Sequence, residues 1–514
     1  MGNLFAYDDV PMVLENARVH SGSPFWTYLG QGYWPSGNGQ AYRPATVWLF
    51  AVEWSLGGGA PGVFHAVSFI LYFGSAVALF FVGQRLMPVW AAWLAAALFT
   101  VHPVHVEAVA NIVGQSELQA GLATLLALLL YLKARQAGAM TPATRLTLAG
   151  LALWAALAKE QGLLVPFVLL LAEVTVVPRT ERRGIRLQRL APLWAVLAAV
   201  IGIVLLLRHA ALGGLTGGMQ AMALSGASTS ERLLTMLGVI PHWARLLLWP
   251  SHLQADYSPP SLDRATAFGV PQALGIALII IVGMVIWRTW SRRPAVAFGG
   301  CFMILMLFPV SNLVATTGIV LAERTLYLPS MGLVLGLAAA GTSLALAPKF
   351  VRLSAAGAVL ILLGAGAYWS ARRQPVWYDN ERLFRQTLVD APNNYRVHWL
   401  WSRHLRTLGR EEEAAAALQR AAALYSADPV VFEDWGQLQR AAGACDEAIV
   451  SLERALAIDA TRIIARSRLV YCLIEQGELT TARRVAETGV TLGDSSFARP
   501  IARIDSLLAT GIEP

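Results

Sequence analysis

The sequence predicts an all-α membrane protein, in which a polytopic bundle of apolar helices is followed by a soluble solenoid of helical repeats. Hydrophobic residues make up 56% of the chain and charged residues only 14%, well below the roughly 25% that ordinary soluble domains contain. The charges are also segregated, because residues 60–370 form apolar runs broken by short basic loops. Towards the C-terminus, glycines recur at intervals of 34 residues, which indicates a helical repeat.

Ten apolar runs are long enough to cross, or nearly cross, a bilayer, and together they define a transmembrane domain at residues 62–371. The runs lie at residues 62–83, 88–101, 117–132, 146–158, 164–178, 190–207, 270–287, 295–309, 325–347 and 353–370. The stretch 231–250 is also apolar, but it contains a central Pro241-His242 pair and Arg245. We therefore expect this stretch to lie in the membrane interface.

The basic loops predict which side of the membrane each segment faces. If 231–250 does not cross, fourteen Lys and Arg residues fall on one side, which the positive-inside rule identifies as cytoplasmic. They are Arg85, Lys133, Arg135, Arg145, Arg179, Arg182, Arg183, Arg186, Arg189, Arg288, Arg292, Arg293, Lys349 and Arg352. The same rule explains the net charge of +8 and the pI near 9.6, so we exclude nucleic acid as a partner.

This arrangement places the first loop, residues 1–61, and the C-terminal repeats outside the cytoplasm. The outer compartment would be the periplasm of a bacterium or the endoplasmic reticulum lumen of a eukaryote. Because only seven residues precede the first acid, no cleavable signal accounts for an outer N-terminus. We therefore expect a further span upstream of Met1.

Residues 385–514 contain about three units of a 34-residue repeat. Each unit has a glycine followed five residues later by an alanine: Gly409 and Ala414, Gly443 and Ala448, Gly477 and Ala482. Glycine at the turn between two helices and alanine at their contact are typical of tetratricopeptide repeats. The third unit is predicted to be degenerate, because Gly489 replaces a helix residue. The concave face of such an array binds peptides or proteins, whereas the alternative is that the repeats only stabilise the membrane domain.

Two adjacent acids, Asp8 and Asp9, precede Pro11 in the first loop. Neighbouring side chains project in different directions, so the two carboxylates cannot serve one proton together. One acid is therefore a candidate general base, while the other orients substrate or a cation. The alternative for Asp9 is that it caps a helix that starts near Pro11.

Two further polar segments lie at predicted outer ends of membrane helices, where ionisable groups are candidates for function. Arg43 stands among aromatic residues and suits binding of phosphate or sugar, while the alternative is an interfacial helix anchored by Tyr42 and Trp48. Lys159-Glu160 is an abrupt break between apolar runs. The two residues either form an ion pair that closes the turn or present a cation to an anionic lipid headgroup.

His102, His105 and Glu107 follow the second apolar run. Two histidines three residues apart, with a nearby carboxylate, raise the question of a metal site, but this spacing is not that of a zinc hydrolase motif. We therefore expect these side chains to hydrogen-bond substrate or protein, and we do not favour a divalent metal.

Glu323, Arg324 and Tyr327 stand at the outer mouth of a later span. An arginine and a tyrosine in this position suit a clamp on phosphate. The alternative is a neutral Glu323–Arg324 ion pair.

Taken in chain order, these segments resemble the transmembrane and tetratricopeptide repeat-containing O-mannosyltransferases, a family of the GT-C superfamily of integral membrane glycosyltransferases. The resemblance is carried by Asp8-Asp9, Tyr42-Arg43-Pro44, His102-Pro-Val-His105-Val-Glu107, Lys159-Glu160-Gln161-Gly162 and Glu323-Arg324-Thr-Leu-Tyr327-Leu-Pro329-Ser-Met-Gly332. It implies a GT-C membrane domain with eleven spans and with repeats outside the cytoplasm. The chain departs from that pattern in having ten apolar runs and three repeats.

The resemblance implies transfer of a sugar, mannose in this family, from a polyprenyl-phosphate carrier to an acceptor hydroxyl, such as that of protein Ser or Thr. Asp8 or Asp9 would remove the acceptor proton, with Asp9 slightly favoured because it lies nearer the helix start. Arg43, Lys159 or Arg324 would stabilise the departing phosphate, so no metal or other cofactor is required. Grooves between the spans would hold the lipid tail of the carrier.

Two other classes of function are compatible with the sequence. One is a non-catalytic membrane scaffold that presents its repeats to envelope proteins, and the other is a lipid-linked-glycan ligase or a transporter of a different fold. The identities of the sugar, the acceptor and the carrier stay open. The sequence also does not decide whether Cys445 and Cys472 form a disulfide.

Overall fold

The structure, a computed structural model, describes residues 2–35, 41–138, 140–178, 187–215 and 220–510. In these ranges every regular element is a helix, which confirms the predicted all-α class. The chain forms two compact units, one from Met1–Tyr257 and Leu262–Gln386, and the other from Ser258–Ser261 and Thr387–Pro514. We call them the membrane unit and the repeat unit.

The membrane unit is built from α-helices connected by short 3-10 turns. The helices are Ala17–His20, Pro44–Gly57, Pro61–Leu86, Val89–Thr100, Val106–Ala110, Gln115–Gln136, Pro142–Ala158, Val165–Thr175, Leu187–Leu212, Thr229–Leu248, Val270–Thr289, Pro294–Leu307, Tyr327–Gly341 and Lys349–Arg373, and the boundary between the units falls within the next helix, Asn380–Asp390. Several begin with proline, whose fixed φ suits the first helical turn and whose missing N–H would have no helical partner there.

Six helices in the described ranges are long and apolar enough to cross a membrane, so the chain is an integral membrane protein. They are Pro61–Leu86, Ile112–Gln136, Leu190–Leu212, Val270–Thr289, Glu323–Leu346 and Lys349–Trp377. Val89–Thr100 and Pro103–Ala110 form a further pair bent by 52°. All ten predicted runs fall on helices, but the other four are short because polar or proline-containing breaks interrupt them.

The stretch predicted to lie in the interface forms the helix Thr229–Leu248, which is not among the candidate spans. A capping box between Ser228 and Glu231 fixes its start. The helix buries one face, on which Met236, Val239 and Trp243 follow one another at helical spacing. Residues 179–186, which carry part of the basic pattern used for sidedness, lie outside the described residues.

Two helices near the predicted phosphate clamp pack backbone against backbone. A Cβ added to Gly299 would lie 2.5 Å from the carbonyl oxygen of Gly332 and 2.5 Å from the nitrogen of Gly336. Small residues allow this close approach between membrane helices. The contact fixes helix Tyr327–Gly341, and therefore the turn before it, against helix Pro294–Leu307.

The repeat unit contains three helix pairs and a terminal helix. The pairs are Tyr395–Thr407 with Glu411–Leu424, Pro429–Ala441 with Cys445–Ile458, and Ile463–Glu475 with Leu479–Thr491, followed by Ala498–Thr510. Gly409, Gly443 and Gly477 sit between the paired helices with φ of +71°, +79° and +73°, a conformation that favours glycine. The three alanines of the repeat are fully buried at the helix contacts, as predicted.

The third helix pair is complete, so the predicted degeneracy at Gly489 is wrong. Gly489 lies inside helix Leu479–Thr491, and a Cβ there would come within 2.4 Å of the Phe497 ring. The absence of a side chain at Gly489 therefore allows the Phe497 ring to pack directly against this helix.

Candidate active site

Arg324 is the centre of a network of charged side chains in the membrane unit. Its guanidinium donates to Glu107 at 2.6 Å, and its backbone N–H donates to the other oxygen of the same carboxylate at 2.8 Å. The guanidinium also lies 3.4 Å from Asp8 and 3.9 Å from Glu117. One cation thus contacts three carboxylates, of which Glu107 and Glu117 are buried.

A tightly folded segment positions the two buried acids. Helix Val106–Ala110 carries Glu107, and the next turn leads into helix Gln115–Gln136, whose first turn carries Glu117. Gly114 stands between them, where an added Cβ would lie 2.3 Å from the Ala108 carbonyl oxygen. A larger residue would displace this turn and with it the spacing of the carboxylates.

Lys159 and Glu160 lie at the break between helices Pro142–Ala158 and Val165–Thr175, but they do not pair with each other. The Lys159 ammonium forms an ion pair with Glu117. Glu160 accepts from Arg43 at 2.9 and 3.1 Å. The turn is compact because Gly162 packs on the backbone of the preceding helix, where a Cβ would lie 2.0 Å from the Ala155 carbonyl carbon. The Lys159–Glu160 ion pair, one of the two alternatives considered from the sequence, is therefore not formed.

Glu160 lies between two arginines, since Arg208 also approaches it at 3.8 Å. Burial by itself would raise the pKa of Glu160, but the positive charges of Arg43, Lys159 and Arg208 outweigh this effect and lower it to about 2. Arg43 is further held over the ring of Tyr33, at 4.9 Å from its centre.

The charged network is defined here as two groups of ion-paired side chains, one around Arg324 and one around Glu160, that come together at the adjacent residues Lys159 and Glu160. Its members are Asp8, Arg43, Glu107, Glu117, Lys159, Glu160, Arg208 and Arg324.

The adjacent acids Asp8 and Asp9 have different environments. Asp9 is fully buried, and its two carboxylate oxygens accept backbone N–H groups of Val113 at 2.9 Å and Ala6 at 3.4 Å. Burial outweighs these bonds and raises the pKa of Asp9 to about 7. The Asp8 side chain is 19% exposed and faces Arg324. Asp8 lies in a turn that starts at Tyr7, whose φ is +57°, whereas Asp9 begins the helical stretch that follows.

Asp9 does not cap the following helical turn through its side chain, contrary to the alternative considered from the sequence. Its side chain instead ties the first loop to the segment that carries the buried acids, through Val113. Geometry therefore favours Asp8 over Asp9 as the acid that can reach a substrate.

His102, His105 and Tyr327 lie outside the charged network. The His105 ring nitrogens lie 2.8 Å from the Ser330 hydroxyl and 3.0 Å from the Tyr72 hydroxyl. His102 contacts the Leu247 carbonyl oxygen at 2.9 Å, and the buried Tyr327 ring packs on His105. His102 and His105 hydrogen-bond within the protein, which is one of the two alternatives predicted for them, and Tyr327, a predicted member of the phosphate clamp, packs within the protein as well. The described side chains that could jointly hold a metal ion are found in the repeat unit.

Glu323 does not pair with Arg324, although the two are neighbours in sequence. The buried Glu323 carboxylate accepts the Tyr257 hydroxyl at 2.9 Å and the Gln254 backbone N–H at 2.6 Å. It therefore fixes the loop 250–257 against the turn that carries Arg324. The Glu323–Arg324 pair considered from the sequence is not formed, because successive side chains leave the 3-10 turn in different directions.

Sequence reasoning missed Glu117 and Arg208 as members of the site. Both stand at the ends of apolar runs, Glu117 in the first turn of one helix and Arg208 near the end of another. An ionisable residue in such a position is the signal that could have identified them.

Comparison with known proteins finds a repeat family and several relatives. Residues 439–492 match the tetratricopeptide repeat family. The chain is 25% identical, over 431 residues, to a protein O-mannosyl-transferase of Caenorhabditis elegans, with 80% of this chain and 59% of the relative covered. Its relatives are protein O-mannosyl-transferases.

Two human relatives show the same pattern. Protein O-mannosyl-transferase TMTC1 is 26% identical over 500 residues, covering 85% of this chain and 54% of its own. Protein O-mannosyl-transferase TMTC4 is 27% identical over 467 residues, covering 80% and 62%. The resemblance stated from the sequence is confirmed, and the chain spans between 54% and 62% of the length of these three relatives.

Proposed function

We propose that this chain is an integral membrane glycosyltransferase of GT-C type that transfers a sugar from a polyprenyl-phosphate carrier to a protein hydroxyl on the extracytoplasmic face. The names of its relatives favour mannose as the sugar. The observation that carries the proposal is the contact between the partly exposed Asp8 and Arg324, backed by the buried Glu107 and Glu117.

Asp8 is assigned as the general base. It accepts the proton of the acceptor hydroxyl while that oxygen bonds to the anomeric carbon of the sugar, and the bond from this carbon to the carrier phosphate breaks. General-base catalysis of this kind contributes a factor of about 100 or more. Glu107 and Glu117 hold the Arg324 guanidinium in place, which in turn orients Asp8.

The phosphate of the carrier is assigned to the other end of the network. There Arg43 and Arg208, whose side chains are 19% and 13% exposed, contact the single carboxylate of Glu160. Among the described residues, Glu160 is contacted by two arginines, whereas Arg324 contacts three carboxylates. A departing phosphate gains negative charge, which the arginines and the nearby Lys159 would stabilise. No metal is required for this step.

The decisive experiment compares Asp8→Asn with wild type in a reconstituted transfer assay that uses polyprenyl-phosphate mannose and an acceptor protein. We expect the turnover number to fall about 100-fold or more while the thermal unfolding temperature stays the same. Asp263→Asn, at an exposed acid of the same unit, is the matched control. Full activity of Asp8→Asn would exclude the base assignment, and lack of transfer by wild type from any polyprenyl-phosphate sugar would favour the scaffold alternative.

The repeat unit is proposed to bind the protein acceptor along the surface formed by the first helix of each of its three pairs. Trp399 on the first pair donates to Asp434 on the second at 2.8 Å, and Arg468 on the third lies 4.0 Å from Asp434. Tyr471 carries the Arg440 guanidinium 5.7 Å from its ring centre. These polar and aromatic groups form a line across the three pairs, which suits contact with an extended peptide.

The proposed sidedness can be tested separately. Ser426 is exposed on a turn of the repeat unit, so a cysteine placed there, in a chain whose three native cysteines are replaced, can be labelled with a membrane-impermeant maleimide. The distribution of basic residues predicts labelling from the outer face. Labelling that requires opening of the cytoplasmic side would reverse the assignment.

A further inference from the structure

Two cysteines of the repeat unit lie side by side in its interior. Cys445 is the first residue of helix Cys445–Ile458, and Cys472 lies in the next helix, Ile463–Glu475. Their sulfur atoms are 3.1 Å apart, and the residues are 5% and 0% exposed. A disulfide has a sulfur separation of about 2.05 Å, so formation of the bond brings the two sulfur atoms roughly 1 Å closer.

We propose that Cys445 and Cys472 form a structural disulfide that joins the second and third helix pairs of the repeat unit. The proposal rests on the extracytoplasmic placement of the repeats, because disulfides persist in oxidising compartments, and it makes no use of sugar transfer. The oxidant is the disulfide of another protein in the extracytoplasmic compartment. The two thiols of the repeat unit transfer two electrons and two protons to that disulfide, which is reduced to two thiols.

The bond forms while the repeats are still folding. In the folded unit burial raises the pKa of both thiols, and the adjacent Glu475 carboxylate raises it further. A thiol attacks a disulfide as the thiolate, so oxidation after burial is slow. Once formed, the bond is shielded from reductants by the same packing.

A metal site is the competing interpretation, because the ligand atoms of Cys445, Cys472 and Glu475 lie within 4.8 Å of one another. Structural zinc sites hold four ligands and require deprotonated sulfurs. The described residues supply three ligands here, and burial opposes loss of the thiol protons. The positive charge of Arg440 also acts on Cys472 and opposes a second cation. These observations favour the covalent bond.

Thiol counting on the full chain tests the proposal. Cells are quenched in acid, and the denatured protein is alkylated with a maleimide polymer before and after reduction. The wild type should have one reactive thiol, Cys301, before reduction and three after it. Cys301→Ser is the matched control and should have none before reduction and two after. Cys445→Ser should have two in both cases.

The consequence for stability is measured on the same protein in detergent. The loop between the cysteines spans 27 residues, and loss of the bond in Cys445→Ser or Cys445→Ala should lower the unfolding midpoint of the repeat unit by roughly 10 °C. The reduced wild type should show the same shift, which separates the bond from the substitution. Protease resistance of the repeats reports this unfolding.

Three reactive thiols in the unreduced wild type would overturn the proposal. So would two thiols that become reactive after a chelator alone, together with one bound zinc ion per chain, because that result identifies a metal site. Sugar transfer by the same preparation is measured in parallel. A transfer-active protein with three free thiols would refute the disulfide alone, whereas an oxidised but inactive protein would refute the proposed function alone.

Discussion

The ion pairs of the charged network in the membrane unit and those on the surface of the repeat unit differ in burial and in the sequence separation of their partners. In the network, Glu107 and Glu117 are buried, and their partners Arg324 and Lys159 lie 217 and 42 residues away. On the repeat helices, pairs such as Arg410–Glu413 join residues three apart and stay exposed, with side chains 34% and 57% accessible. A buried charge that loses its partner is costly, whereas water solvates an exposed one. Similar bonds therefore have very different consequences when they are broken.

The largest effect is expected from Lys159→Met, which leaves the fully buried Glu117 without its ammonium partner. Breaking a buried pair on one side costs about 3–5 kcal/mol. Thermal unfolding of the purified protein should show this loss. The double variant Lys159→Met/Glu117→Gln should recover part of it, because both charges are then absent. A single variant as stable as wild type would contradict the view that the network is a buried, paired system.

The second prediction compares Asp9→Asn with wild type as a function of pH. The pKa of Asp9 is raised from its ordinary 3.8 to about 7 in the folded protein. The folded state therefore binds the proton more tightly, so this group's contribution to stability is present below pH 4 and is lost as pH rises to 7. The loss amounts to about 4 kcal/mol at most. The unfolding temperature of Asp9→Asn, relative to wild type, should rise over this window.

At every pH, Asp9→Asn also loses one of the two backbone acceptors that Asp9 provides, at a cost of about 1–3 kcal/mol. A pH-independent difference between the two proteins would mean that Asp9 titrates normally. Asp263→Asn, at an exposed acid that does not act on Asp9, is the control and should leave this pH profile unchanged.

Substitutions on the proposed acceptor-binding surface of the repeat unit should weaken binding of the acceptor and leave the stability of the unit largely unchanged. Trp399→Ala and Tyr471→Ala remove aromatic groups from the line on the first helices, and we expect the KM for a protein acceptor to rise about 10-fold, as loss of one interface contact of about 1.4 kcal/mol implies. Transfer to a short peptide should not change. Arg483→Ala, on the exposed face of a second helix, should leave both values unaltered.

The smallest effect is expected from Arg410→Ala, which removes the exposed pair with Glu413. Such pairs contribute at most about 0.5 kcal/mol. The unfolding midpoint of the repeat unit should therefore shift by less than about 3 °C. A loss comparable to that of Lys159→Met would remove the distinction between the two regions.

The same contrast explains which features the sequence reveals. The repeat period, the glycine turns and the alanine contacts involve residues close together in the sequence. Their regular spacing therefore predicts the helix pairs, and the structure contains these pairs. The apolar runs are equally local. The network, by contrast, joins residues whose separation in sequence carries no information on contact. Adjacency suggested the pairs Lys159–Glu160 and Glu323–Arg324, and neither forms.

Individual members of the site were recognisable, but not their roles. Asp8 and Asp9 are adjacent residues of the same type, so the sequence does not distinguish them. In the structure the left-handed turn at Tyr7 leaves Asp8 partly exposed, and the packing of residues 112–113 buries Asp9. That packing depends on segments a hundred residues away.

The separation between Arg324 and Glu107 sets an order of events during synthesis. At 5–20 residues per second, the ribosome needs roughly 10–40 s to make the 217 residues from Glu107 to Arg324. During that interval Glu107 belongs to a nascent chain without the arginine that binds it in the folded protein, so its carboxyl group is expected to stay hydrated or protonated. The membrane domain therefore cannot complete its site until helix Glu323–Leu346 has been inserted. A chain that terminates before this helix therefore keeps Glu107 between apolar segments without the arginine that holds it in the folded protein.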